Sequence, residues 1–134
     1  MKFITVYSLS REERGEVWEF IKKKLRKGYI RPLKLSQMAP VFFVGKKNGK
    51  KRMVQDYWYL NEWTIKNNYS LPLISDIVEN IGMKKVFTKL DLRWEYNNIW
   101  IKEGDEWKAV FITIEGSFEP TVMFFRLINS SATF

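Results

Sequence analysis

Cysteine and histidine are both absent from the 134 residues. Disulfides, thiol and imidazole nucleophiles, imidazole acid–base chemistry and the usual structural zinc sites are therefore excluded. Any bound metal must sit on oxygen. No apolar run approaches the ~18 residues needed to span a bilayer, and no signal peptide precedes Ser8. The expectation is an intracellular protein of the cytoplasm or nucleus, not secreted and without a membrane partner. There is no internal repeat, no linker and no low-complexity segment. Acid is in deficit, with 15 Asp and Glu against 23 Lys and Arg, a net charge of +8. Such a surface favours phosphate-bearing partners. Hydrophobic residues make up 46% and charged residues 28%, a globular balance that excludes the low-hydrophobicity signature of disorder. The length suits one domain with one core. Aromatic residues reach 16%, so rings stand among the cations as base-stacking candidates unless the core takes them.

Along the chain, Val17, Phe20, Ile21 and Leu25 recur at helical spacing between Ser8 and Lys27. Ser10 and Glu13 form a capping-box pattern and Gly28 is a natural stop, so an amphipathic helix is predicted here. The run Lys22, Lys23, Lys24, Arg26, Lys27 reads as a solvated face or as part of a phosphate track. Residues 29 to 40, with Pro32 and Pro40, read as an extended loop. Val41 to Gly45 and Lys51 to Tyr57 form two strands joined around Asn48-Gly49. Lys46, Lys47, Lys50, Lys51 and Arg52 cluster at that tip, either protecting a sheet edge or contacting nucleic-acid phosphates. A polar stretch runs from Asn61 to Tyr69. A short helix follows near Ile74 to Ile81, ended by Gly82. Val86 to Leu92 reads as a buried strand with Asp91 at its carboxyl end. Segments at about 96 to 102, 107 to 114 and 117 to 125 read as an antiparallel meander, with turns at Gly104-Asp105 and Glu115-Gly116. Asn129 to Phe134 look like the first turn of a helix. Mixed strands and helices without βαβ alternation predict an α+β fold, an antiparallel sheet with flanking helices.

Several segments, in order, resemble the reverse transcriptase (RNA-directed DNA polymerase) of gypsy-type LTR retrotransposons. They are YSLSREER, GYIRP, SQMAPVFFVGKKNGKKRMVQDYWYLNEWTIKNNYSLPLI, VFTKLDLRWEYNNIWI and FEPTVMFFRLINSSATF. The resemblance implies fingers over about 1–84 and an incomplete palm over about 85–134, from a Pol polyprotein. It implies addition of deoxynucleotides to a primer on an RNA or DNA template, with Mg2+ as cofactor. Asp91 would bind both ions and serve as the catalytic carboxylate, with the Leu92 carbonyl assisting. Hard divalent cations take oxygen ligands, which suits this assignment. Lys46 and Arg52 would grip the incoming triphosphate. Tyr96 would exclude the ribose 2′-hydroxyl, unless it is a core residue. Phe125 would lie against the nucleotide sugar, and Gln55 to Asn61 would belong to the template side of the fingers. Lys47, Lys50 and Lys51 would contact nucleic acid.

The chain departs from that pattern in several places. No Tyr/Phe-x-Asp-Asp motif occurs within it, and two magnesium ions about 3.5 to 4 Å apart need several carboxylates. Asp105, on a predicted turn, and Asp56, in the fingers, are not expected to substitute. Glu95 and Arg126 stand where the family carries small residues, Ser131 stands for Pro and Trp58 for Arg. The expectation is a truncated nucleotidyltransferase fragment, inactive alone. The alternatives are a non-catalytic basic nucleic-acid-binding module or a non-functional relic. A sheet edge left open near the Asp91 strand predicts self-association, aggregation or marginal stability.

Overall fold

The structure is a computed structural model that describes residues 7–34, 38–47, 49–69, 72–82, 84–92 and 95–133. The predicted first helix forms as α1, Arg11–Arg26. Its capping box is complete: the Ser10 hydroxyl accepts from Glu13 N, and Glu13 Oε2 accepts from Ser10 N at 2.9 Å. Gly28, at φ 69, ends the helix. The Gly28 N–H donates to the Leu25 carbonyl and the Tyr29 N–H to that of Lys24. This paired closure satisfies carbonyls the helix leaves open, and it needs the left-handed residue that glycine supplies without strain.

Next come β1 (Ile30–Pro32), β2 (Ala39–Gly45), β3 (Lys51–Gln55), α2 (Trp58–Trp63), α3 (Ile74–Gly82), β4 (Phe111–Thr113), β5 (Gly116–Pro120) and α4 (Ser130–Thr133). The strands form one sheet in the order β1-β5-β4-β2-β3. The predicted hairpin is present, with Val41 opposite Gln55 and Gly45 opposite Lys51. Asn48, at its tip, lies outside the described residues, as do Ser70, Leu71, Met83 and Phe134. The second hairpin turns between Thr113 and Gly116. The sheet is not wholly antiparallel, because β2 lies parallel to β4 through Ala39–Phe111 and Pro40–Ile112.

Other expectations are corrected. Residues 29 to 40 are not all loop: β1 adds to the sheet beside β5. Pro32 is tolerated there because an edge strand leaves one row of N–H groups unpaired. Val86 to Leu92 form no strand, and Val86 and Leu90 are 87% and 82% exposed. An apolar run becomes a strand only when a neighbour completes its ladder, and no described segment does so here. From the meander, residues 95–98 form a 3-10 turn, and one isolated bridge, Trp100 to Val122, follows. Residues 106–109 form another 3-10 turn before β4.

α1 lays Val17 and Ile21 on the sheet, against Ile30, Val41, Phe111, Phe118, Val122 and Phe124. Tyr57 is fully buried among them and donates its hydroxyl to the Ala109 carbonyl at 2.9 Å. Burial pushes its pKa up, since the phenolate has no water there. No helix among the described residues is long and apolar enough to cross a membrane.

Candidate nucleotide and nucleic-acid interface

The β2–β3 tip is a tight turn. Lys46 N–H donates to the Lys50 carbonyl at 2.6 Å, and Gly49 N–H, at φ 77, to that of Lys46 at 3.0 Å. Lys46, Lys47, Lys50, Lys51 and Arg52 are all exposed. They do not act alike. Lys51 Nζ donates to Glu13 Oε1 at 2.6 Å, so it ties the hairpin to the α1 capping box. That hydrogen bond raises the Lys51 pKa and lowers that of Glu13.

Arg52 leads into the rest of the site. Its guanidinium carbon lies 5.8 Å from the Phe125 ring centre, and the Phe125 ring lies 6.2 Å from Tyr96 at 36°. The Tyr96 hydroxyl is 3.3 Å from Ser131 Oγ. Three of the four residues expected at a nucleotide, Arg52, Phe125 and Tyr96, therefore form one connected row. The fourth, Lys46, stands at the tip of the same hairpin. A second row crosses beside it: the Arg126 guanidinium sits 5.3 Å over the Phe42 ring, which meets Tyr7 edge-on at 5.7 Å. Tyr7 donates to Asp56 Oδ2 at 3.1 Å, a hydrogen bond that raises the tyrosine pKa.

The loop carrying Phe125 and Arg126 is held from α2 and the segment after it. Asn61 Nδ2 donates to the Arg126 carbonyl at 2.7 Å while its Oδ1 accepts from Ile128 N at 2.9 Å. Asn129 does the same in reverse, accepting from Asn67 N and donating to the Ile65 carbonyl. Each amide uses both its donor and its acceptor, which sets the direction of the loop as well as its position. Arg126 has φ 81, a non-glycine residue in the left-handed region. A glycine would occupy that backbone without strain. Trp58, Glu62, Lys66 and Ile128, all exposed, and the half-buried Asn61 line a shallow cavity of about 310 Å³ beside this loop.

Asp91 and Leu92 stand apart from these contacts. Both are exposed, and Asp91 makes no hydrogen bond or ion pair with another described residue. Asp56 is engaged with Tyr7 and Trp58 N, and Asp105 with Lys108 at 2.5 Å, which lowers the Asp105 pKa. Among the described residues, no group of three or more carboxylates stands close enough to hold a metal ion. The donor chemistry suits magnesium, but Asp91 with the Leu92 carbonyl does not fit a two-ion site by itself.

The lysine run of α1 hides an unanticipated feature. Lys24 is neither on a solvated face nor on a phosphate track: it is 2% exposed and donates from Nζ to Asn97 Oδ1 at 2.5 Å. Its ammonium lies 5.2 to 5.5 Å from the rings of Phe20, Tyr29 and Phe124. Asn97 passes the link on, donating to the Met123 carbonyl at 2.8 Å. Burial, and then the charges of Lys27 and Lys23, lower the Lys24 pKa to about 8. Spacing held the signal, because 24 continues the buried stripe of 17 and 21.

Known proteins place this geometry. The Tf2-3 polyprotein of a Schizosaccharomyces pombe transposon is 41% identical over 114 residues, which are 85% of this chain and 9% of that protein. The Tf2-7 polyprotein of the same organism matches with the same identity and coverage. No family model matches the chain. Among solved structures, a mutant Prototype Foamy Virus protease-reverse transcriptase superposes with a TM-score of 0.77 and 25% identity, over 97% of this chain and 18% of that one. A foamy viral protease-reverse transcriptase in complex with dsDNA gives 0.79 and 20%, over all of this chain and 28% of that one. A foamy viral protease-reverse transcriptase in complex with an RNA/DNA hybrid gives 0.79 and 19%, over 96% of this chain and 17% of that one. The chain is thus homologous to a short segment of the Tf2 retrotransposon polyproteins, and its fold is that of a reverse transcriptase.

Proposed function

We propose that these residues are the fingers and the first part of the palm of a gypsy-type reverse transcriptase, and that they grip template-primer and deoxynucleoside triphosphate. The row Arg52–Phe125–Tyr96 carries this reading, since it joins a guanidinium for phosphate to rings for sugar and base. Lys46, Lys47 and Lys50 extend the positive surface along the tip. The foamy viral relatives in complex with dsDNA or an RNA/DNA hybrid support nucleic acid as the partner class. Asp91 and the Leu92 carbonyl are the oxygen ligands this segment would offer magnesium. The 134-residue chain by itself is not expected to polymerise, because one exposed carboxylate does not hold two ions.

Two measurements test this. Primer extension with magnesium and deoxynucleotides should give no product from the purified chain; product would overturn the inactivity. Fluorescence anisotropy with a primer-template duplex should show salt-sensitive binding that the double variant Lys46→Glu, Lys50→Glu loses. Unchanged binding in that variant would remove the hairpin from the interface. A non-catalytic binding module is the second reading, favoured by the exposed cations of the tip. It shares the binding result and differs only if the chain extended through the segments that follow in its relatives still fails to polymerise.

A further inference from the structure

We propose that Arg126 is a phosphate ligand and forms, with Arg52, a two-guanidinium clamp for phosphoryl oxygens. This rests on the reading of the hairpin as a phosphate-gripping element and adds a residue from a different part of the chain.

Sheet register puts the two groups on one side. Arg52 pairs with Val44, and Phe42 lies two residues before Val44, so all three side chains leave the same face of the hairpin. Arg126 stacks on Phe42 and Arg52 on Phe125, the residue that precedes Arg126. The two stacks therefore cross where loop and hairpin meet. Both arginines are exposed, and neither guanidinium makes a hydrogen bond or ion pair with another described residue. Arg31, by contrast, is paired with Glu119 and Glu106. A ring under a guanidinium uses its face and leaves the N–H donors of its edge directed outward. Those donors match two phosphoryl oxygens at once. Stacking also holds the long side chains before a ligand arrives, which lowers the entropy lost on binding.

The backbone adds a second observation. Arg126 keeps φ 81 although an L side chain is strained there, and Asn61 grips the loop on both sides of it. Strain of this kind persists where surrounding contacts over-determine a site, and such positions concentrate at ligand clamps. Arg126 is thus held in an unfavourable conformation that aims a cation at the hairpin face. The ligand class is phosphate: either the terminal groups of a nucleoside triphosphate or the diester backbone of a nucleic acid.

The test measures binding of three probes, inorganic triphosphate, a deoxynucleoside triphosphate and a single-stranded oligonucleotide, to the 134-residue chain and its variants. Arg126→Gln should weaken triphosphate or oligonucleotide binding by on the order of 10-fold, as for loss of one charge-assisted contact. Arg126→Lys should recover only part, since an ammonium lacks the fork. Arg126→Gly, which relaxes the backbone, should bind as weakly as Arg126→Gln while remaining folded. A loss confined to triphosphate and nucleotide identifies the nucleotide as the source. A loss confined to the oligonucleotide, with a salt slope lower by about one, identifies the diester backbone. Wild-type affinity of Arg126→Gln for all three probes overturns the clamp. If Lys46→Glu, Lys50→Glu abolishes binding in that same series, the hairpin reading survives and only Arg126 is removed. Failure of the wild-type chain to bind any probe removes both.

Discussion

Single residues explain much of how this segment is tuned. Arg126 combines a backbone that favours glycine with a side chain packed on Phe42. Left-handed backbone costs an L residue about 1–2 kcal/mol, whereas an exposed cation–π contact returns about 0.5–1 kcal/mol. Arg126→Ala loses the stack and keeps the strain, so urea denaturation should find Arg126→Gly more stable than Arg126→Ala by about 1 kcal/mol. The reverse order would mean that the loop is not strained. Lys24 makes a pH-dependent prediction. Its folded pKa is lowered to about 8 from 10.5. The unfolded chain then binds the proton more tightly, and charging the folded lysine costs stability in full below pH 8. Stability should rise as pH climbs from about 8 towards 10, and Lys24→Met should flatten that rise. Tyr57 works in the opposite sense only above pH 10, where the unfolded phenol ionises and the buried one does not. Arg126 was legible as a departure because family positions that need glycine stand out. Lys24 was not, because five basic residues within the six positions 22–27 look like a wet surface unless the stripe beneath them is traced.

Elements that satisfy their own backbone were legible, and elements that depend on distant partners were not. α1 declares its start through Ser10 and Glu13 and its stop through Gly28. The first hairpin declares itself through a glycine turn between two apolar runs. By contrast, β1 has only three residues, one of them proline, and exists because β5 lies beside it. α2 was missed since it has no side-chain cap of its own at Tyr57 and buries none of its residues. Its start is marked only by Asp56 Oδ1 accepting from Trp58 N at 3.2 Å. Ser10→Ala should destabilise the fold by about 1 kcal/mol through loss of the cap, and Glu13→Ala should loosen the hairpin as well, because the Glu13 carboxylate accepts from both Ser10 N and Lys51 Nζ. Hydrogen exchange at the residues flanking Lys46 should therefore quicken in the Glu13→Ala variant. Unchanged exchange there would show that the Glu13–Lys51 pair does not couple helix and hairpin.

At the scale of the whole molecule, apolar surface is unevenly covered. α3 buries none of its residues, leaving Ile74, Ile77, Val78 and Ile81 in solvent, and Val86, Phe87, Leu90 and Leu92 are exposed after it. The sequence placed an open sheet edge at the Asp91 strand; that strand does not form, and the free edges are β1 and β3. Those edges carry Arg31 and Pro32, or Lys51 and Arg52, which discourage strand addition. Self-association is therefore expected through the uncovered apolar surface. Size-exclusion chromatography should show dimers or larger species that Ile77→Glu, Leu90→Glu disperses. A stable wild-type monomer would refute this.

The sheet order also dictates when the protein can take shape during translation. Ile30 aligns with Pro120 and Pro32 with Phe118, so the first strand has no partner until the segment 118–120 has left the ribosome. Until then Val17 and Ile21 lack most of the surface they lie on in the finished fold. The nascent chain must hold a greasy helix stripe in water until that later segment emerges, a natural substrate for chaperones that bind exposed apolar segments.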